Sequence, residues 1–396
     1  MPRSTATPPQ RPCQEARLAL ALGPVLLLTV IFFVHFLARQ ITGPLLPAME
    51  GDLGLSHTQS GLFLLLMGIG FFFSQIGAAA IAGRWGYRWC ILVSLGGSAF
   101  ATALVGSAAS VWLLGVGFLG LGMTGGLYVP AGIALITVLV RPRDWGKAMG
   151  IHELAPNLAL ISVPFLATLA VAWATWRWGF LGLSLVLAAL AAVYFLFGVD
   201  GLQRPSPPDA SRLKQIATTP AFWFLVILFS LAVGVETGVY SMIPLFLVNE
   251  RGFSLADANQ LLGISRIPGI AMVLLAGWIT DRLSPATTVT IALAATGGAV
   301  VCIGAGPRHL LVPAIFAQAA AAACIFPPIL SMASQIATDQ DRTLTLSLIL
   351  AVAPVIGSGL LPAGIALAGD LGSFAAGFVA AGILTLSGCA IVRRCG

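Results

Sequence analysis

Five polar residues able to do chemistry stand within long apolar runs of this chain: His35, Arg39, Glu236, Tyr240 and Arg266. Arg39 follows a run from Val25 to Leu37 that carries no other formal charge. A charge well inside a bilayer costs about 2.5–3.5 kcal/mol, so it is retained only beside a partner or an aqueous cavity. Arg39 stands eight residues before Pro47, and Glu236 stands eight before Pro244, 197 positions later. Arg266, in Ser265-Arg266-Ile267-Pro268-Gly269, lies about ten residues into its own apolar run. That is roughly 15 Å along a helix, near mid-membrane. Four-residue spacing puts His35 on the face of Arg39 and Tyr240 on the face of Glu236. Two guanidiniums, permanently charged and forked, set against one carboxylate favour a small anion. A carboxylate in a dry site is favoured neutral, which makes Glu236 the candidate proton carrier. Two blander roles compete: an Arg39–Glu236 salt bridge that only locks helices together, and a His35 that merely packs between helices.

The elements that position these residues are membrane spans. Of 396 residues 58% are hydrophobic and 9% charged, where a soluble domain carries roughly a quarter charged. Mean hydropathy is +0.97. The composition predicts an all-α polytopic membrane protein with twelve spans, near 18–47, 57–83, 89–109, 111–140, 148–173, 178–199, 220–248, 256–280, 286–305, 309–337, 344–368 and 371–392. Residues 1–17, with Pro2, Pro8, Pro9 and Pro12, read as a disordered cytoplasmic tail. Residues 18–199 and 220–396 read as two six-helix halves, and 200–219 as the polar linker between them. With tail and linker inside, the inner loops hold 15 Lys and Arg and the outer loops hold Arg177, Arg251 and Arg308. Both termini are therefore expected in the cytoplasm.

The halves repeat at an offset of 197–198. Pro47 meets Pro244, Gly54-Leu55-Ser56 meets Gly252-Phe253-Ser254, Pro130 meets Pro327, Asp144 meets Asp341, and Ala155-Pro156 meets Ala353-Pro354. One offset kept along the chain indicates a parallel two-fold repeat. The net charge of +6 is scattered over short loops, which suits a positive-inside membrane protein and not a nucleic-acid binder. The six cysteines lack metal-ligand spacing, and no nucleotide-binding motif is present, so no cofactor is expected. Clustered His, Asp and Glu of a lipid-acting enzyme are missing from the linker, so a non-enzymatic role is expected.

The loop motifs carry a family resemblance. Gly277-Trp278-Ile279-Thr280-Asp281-Arg282 resembles the G-x-x-x-D-R signature of major facilitator transporters, which implies that Gly277, Asp281 and Arg282 act in an inner gate. The first-half copy ends in Gly83-Arg84, with Gly83 where the acidic residue belongs, leaving Arg84 as its gate residue. Trp176-Arg177-Trp178-Gly179-Phe180 is a further stretch similar to the family. Gly150 to Ala159 resembles a degenerate form of the Gly/Pro motif of its antiporters, and Pro156, like its counterpart Pro354, is expected to kink its span as a pivot. Among organophosphate antiporters of the superfamily an arginine stands eight residues before a proline in the first helix of each half. Arg39 fits that pattern, while Glu236 occupies the second position, so a paired-arginine clamp is absent.

The sequence thus reads as a secondary transporter of a small, monocarboxylate-like anion, driven by proton symport through alternating access. Arg39, Arg266, Tyr240 and His35 would bind substrate and Glu236 would carry the proton. It is expected to act as a monomer in the lipid of a bacterial cytoplasmic (inner) membrane, its partners being the anion and protons. The competing readings are an efflux antiporter for drugs or metabolites, and a transporter-like scaffold or sensor. Gln318 and Gln335 could bind substrate or bridge helices, His152 and Glu153 could gate or cap, and Phe71-Phe72-Phe73 reads as packing bulk facing lipid.

Overall fold

The computed structural model describes residues 18–200, 210–336 and 342–395. The tail 1–17, residues 201–209 of the linker and Asp341 lie outside them. Every regular element among the described residues is helical. Eleven helices are long and apolar enough to cross a membrane: Leu18–Leu53, His57–Trp85, Tyr87–Ser107, Val111–Leu139, Pro142–Trp173, Trp176–Phe197, Pro220–Asn249, Pro285–Ala305, Arg308–Ala333, Leu344–Asp370 and Phe374–Arg393. A pair bent by 43°, Leu255–Val273 and Leu275–Leu283, supplies the eighth span and brings the total to twelve. Spans below are numbered in this order.

The internal repeat is visible in local geometry. Gly54 and Gly252, which close the first helix of each half, adopt left-handed φ values of 61° and 71° that suit residues without a Cβ. Two residues on, Ser56 and Ser254 each cap the next span, accepting from the backbone N–H of Gln59 and Asp257. Span two adds the reciprocal bond, in which the Ser56 N–H donates to the Gln59 side-chain oxygen. These short Gly-x-Ser corners set the entry of the second helix in both halves.

Small residues let the spans cross closely. A Cβ on Gly122 in span four would overlap the Met67 carbonyl of span two, and one on Gly70 would overlap Leu119. In a bilayer, where lipid tails are as apolar as leucine, such close backbone packing drives helix association. Contacts of the same kind join the halves: Gly43 of span one lies against Ser241 of span seven, and Gly61 of span two against Ala363 of span eleven. At the face carrying residues 54–56 and 371–373, Asp370 ends span eleven and accepts from the N–H groups of His57 and Thr58 at 3.0 and 2.7 Å. A carboxylate suits that helix N-terminus because it meets orphan donors and the positive end of the dipole. His57 also bonds Glu50 at 2.8 Å and packs on the Phe374 ring at 4.6 Å. At this face the two halves are in direct contact.

Each of the two prolines stands beside a departure from regular α-helix, of a different form in each span. Span five breaks at Glu153, between helices Trp145–His152 and Leu154–Trp173. Pro156 explains the break, because it has no N–H to give the His152 carbonyl and its ring crowds that oxygen. In span eleven Pro354 is followed by a π turn, Val355–Leu360. A second π turn, Gly234–Gly238 in span seven, holds Glu236. The two π turns face each other: Gly238 and Gly234 press on Gly357, and the Thr237 and Ser358 hydroxyls lie 2.7 Å apart.

Candidate functional site

The structure sorts the five residues into two groups, one in each half. In the second half Arg266, Glu236 and Tyr240 come together. Span eight is interrupted at Arg266, which joins Leu255–Ser265 to Ile267–Leu283, with Pro268 just inside the second piece. Arg266 is 5% exposed. Its Nη1 lies 3.3 Å from Glu236 Oε1, and its guanidinium carbon sits 4.8 Å from the centre of the Tyr240 ring. None of its Nε, Nη1 and Nη2 donors makes an aligned hydrogen bond, and Glu236 Oε2 is likewise without one. Buried polar groups are nearly always bonded, so this fork keeps hydrogen-bonding capacity that the protein itself does not use.

The ion pair corrects the alternative in which Arg39 locks onto Glu236. Position in the repeat aligned those two residues, but the partner of Glu236 is Arg266. Tyr240 also departs from expectation: its ring supports Arg266, while its hydroxyl donates to the Leu160 carbonyl of span five at 3.0 Å. That donor is committed to joining the halves and is not free for substrate.

In the first half Arg39 lies against a surface of aromatic rings and small residues. Its guanidinium carbon is 4.7 Å from the Phe71 ring and 5.2 Å from the Phe36 ring. Gly125 of span four leaves room for its stem, and its Nε has no hydrogen-bond partner. Cation–π contact of this kind is worth about 0.5–2 kcal/mol and leaves the edge donors free. Phe71 is therefore not lipid-facing: it is 6% exposed, whereas Phe73 is 59% exposed. Consecutive phenylalanines point in different directions on a helix, and nothing in the triplet distinguishes the inward one. Beside Arg39, Ser98 and Thr124 share a 2.9 Å bond, and Ser94 lies 3.3 Å from His35 Nε2. His35 is 2% exposed, stacks on Tyr128 at 5.4 Å and leaves Nδ1 without a partner.

Gln318 of span ten is a helix bridge. Its Nε2 donates to the Val235 carbonyl at 2.7 Å, one of the backbone groups in the π turn that carries Glu236. A π turn places its backbone bonds off the α-helical ladder and recurs at functional sites. The glycines of Gly234-Val235-Glu236-Thr237-Gly238, and of Gly357-Ser358-Gly359 opposite, are the only signal of it in the sequence. The side chain of Gln335 is not among those described.

The residues expected in the inner gate sit at the opposite face from the Asp370 contacts. Arg282 rests on the Trp278 ring at 3.9 Å, one turn back in its own helix, and Asp281 is exposed. Arg84 is exposed in the last turn of span two, where a cation complements the helix dipole. A carboxylate does lie near the end of span two, at the start of span three. Asp200, beyond the end of span six, accepts from the Arg88 N–H at 3.2 Å, and Arg88 Nη2 donates to the Phe195 carbonyl at 2.6 Å.

A twelve-span helical bundle with two related halves and buried charge between its helices defines a multi-span membrane transporter. A family model described as the Major Facilitator Superfamily matches residues 28–307, and the chain belongs to that family. It is 24% identical over 388 residues to the probable nitrate/nitrite transporter NarK2 of Mycobacterium tuberculosis, covering 86% of this chain and 94% of that one. It is 26% identical over 316 residues to the probable sulfoacetate transporter SauU of Cupriavidus necator, covering 75% and 73% of the two chains. A solved structure of a POT family transporter in complex with 5-aminolevulinic acid superposes with a TM-score of 0.79 at 15% identity, covering 97% of this chain and 99% of that one. That likeness is one of fold.

Proposed function

We propose that the protein carries a small oxyanion across the cytoplasmic membrane by proton-coupled symport, with both termini in the cytoplasm. The observation that carries this reading is Arg266: a buried guanidinium held by one carboxylate at 3.3 Å, with its donors otherwise unspent. A planar oxyanion such as nitrate, a carboxylate or a sulfonate matches that fork. The names of the two relatives, a nitrate/nitrite and a sulfoacetate transporter, support the same class.

The coupling follows from competition. Glu236 and a substrate anion both seek Arg266. While Glu236 is ionised it holds the guanidinium; when it takes a proton the charge is lost and Arg266 is released to the anion. One proton and one monovalent anion then enter the site together, and the low-dielectric interior never holds an unmatched negative charge. Arg39, supported by Phe36 and Phe71, supplies a second cation from the other half, so that alternating access passes the anion between halves. The Glu153–Leu154 break and the facing π turns are the places where spans five, seven and eleven bend.

Uptake of nitrate, nitrite, sulfoacetate and lactate into proteoliposomes tests the reading. An anion should accumulate under an inward proton gradient, and Arg266→Ala and Arg39→Ala should abolish its uptake in variants that remain folded. Normal uptake by both arginine variants would sink the site assignment, and efflux of neutral or cationic compounds would take its place.

A further inference from the structure

One fully buried polar group outside the anion site is His152, the last residue of the inner helix of span five. Its surroundings fix its protons. The Tyr128 hydroxyl has one proton and gives it to the Leu28 carbonyl at 2.6 Å. The same hydroxyl lies 3.1 Å from His152 Nε2, so there it accepts and Nε2 donates. On the other side of the ring Nδ1 lies 3.2 Å from Glu153 Oε1. A neutral imidazole that carries its hydrogen on Nε2 presents a lone pair at Nδ1. That lone pair would face a carboxylate oxygen, two acceptors at hydrogen-bond distance, unless a further proton lies between them.

We infer that His152 and Glu153 form a second proton-binding site, holding one exchangeable proton between Nδ1 and Oε1 at the break in span five. The proton comes from solvent through Glu153, whose side chain is 52% exposed, while His152 is closed on its other faces. Binding forms one N–H or O–H bond and takes the pair from one net negative charge to none. Phe32 stacks on the imidazole at 4.6 Å and holds the ring plane.

On the elements packed against this helix the titratable groups are Tyr128 on span four, His35 and Arg39 on the Leu18–Gln40 part of span one, and Arg143, Lys147 and the Arg141–Asp144 pair at the start of span five; Glu50 and Asp52 of span one and Arg177 of span six stand at the far ends of their spans, and Tyr194 lies on span six. Asp144 is already matched by Arg141 at 2.8 Å. Tyr128 cannot relay the proton toward His35 while its hydrogen is committed to Leu28, so His152 is the end of the path. The bond ties the junction residue Glu153 to the last residue of the preceding helix, so loss of the proton frees the junction at the break in span five. The site thereby links proton occupancy to bending of a span that contacts both halves. This deepens the symport reading, but the proton count at His152 stands on its own geometry.

The test uses the full chain with 15N-labelled histidine in lipid nanodiscs. Among four histidines, the signals lost in His152→Gln identify this ring. The expected spectrum shows Nε2 protonated throughout and Nδ1 carrying a shared proton that is lost as pH rises. In Glu153→Gln the Nδ1 proton should be absent at every pH, because the amide can itself donate to the lone pair. A ring that carries its hydrogen on Nδ1 with Nε2 bare, or identical titrations in wild type and Glu153→Gln, would overturn the inference. The experiment needs no transported solute, so failure of the anion reading would leave its answer intact.

Discussion

Replacing Glu236 by glutamine isolates the competition for Arg266. The pair is nearly buried, with side-chain exposures of 4% for Arg266 and 14% for Glu236, and its charges are 3.3 Å apart. At an effective dielectric of about 20, unit charges at that distance attract by about 5 kcal/mol. A substrate anion must displace this attraction, and even a third of it, about 1.6 kcal/mol, corresponds to more than a tenfold change in affinity. Glu236→Gln is isosteric and removes the competitor. Its nitrate or sulfoacetate affinity near pH 7.5 should be at least about tenfold tighter than wild type. The pH dependence should also differ. In wild type, affinity falls as pH rises, because ionised Glu236 reclaims Arg266; in the variant it should be flat. The variant also leaves a buried guanidinium without its counter-charge, a loss of about 3–5 kcal/mol in comparable buried pairs. Added anion should therefore raise its melting temperature more than that of wild type. Calorimetric titration from pH 5.5 to 7.5, with melting curves in parallel, reads all three effects. Unchanged affinity together with an unchanged pH slope would refute the reasoning.

Three further outcomes follow from single contacts. Arg266→Lys keeps the charge but loses the planar fork and the stack on Tyr240, so its apparent KM for the anion should rise by about tenfold or more with folding retained, as uptake kinetics will show. Asp370→Asn weakens the carboxylate that caps span two across the halves, worth about 1 kcal/mol, and spin-label distances between the loops at 54–56 and 371–373 should shift toward a more open population. Gly122→Leu places a side chain against the Met67 backbone, where neither helix can yield without losing the crossing of spans two and four. Its melting temperature in detergent should fall sharply, while leucine at the unobstructed Gly96 should have little effect.

The spans and the repeat were legible in the sequence because both rest on signals that lipid makes strong: uninterrupted apolar runs, and corners that need glycine and a capping serine. Arg39 and Arg266 were legible for the same reason, since a charge in such a run is conspicuous. Their partners were not. Repeat position paired Arg39 with Glu236, but which face of a helix meets which neighbour is decided by helix rotation. Here it sends Glu236 to span eight and Arg39 onto Phe71. The commitment of the Tyr240 hydroxyl to Leu160 is a contact across 80 residues with no local signature. Nor does an i, i+4 pattern reveal the π turn at Gly234–Gly238, which changes how the backbone around Glu236 is bonded. The prolines were legible as bends, and the form of each bend was set by its surroundings: a clean break ahead of Pro156, a π turn after Pro354.

The central claim is that anion and proton enter one site together by exchange at Arg266. The most direct measurement follows proton flux into lightly buffered proteoliposomes when nitrate or sulfoacetate is added outside without an imposed pH gradient. Anion entry should acidify the lumen in wild type, while Glu236→Gln should still exchange anion for anion without moving protons. Anion entry with no accompanying proton, or proton movement that persists in Glu236→Gln, would contradict the account.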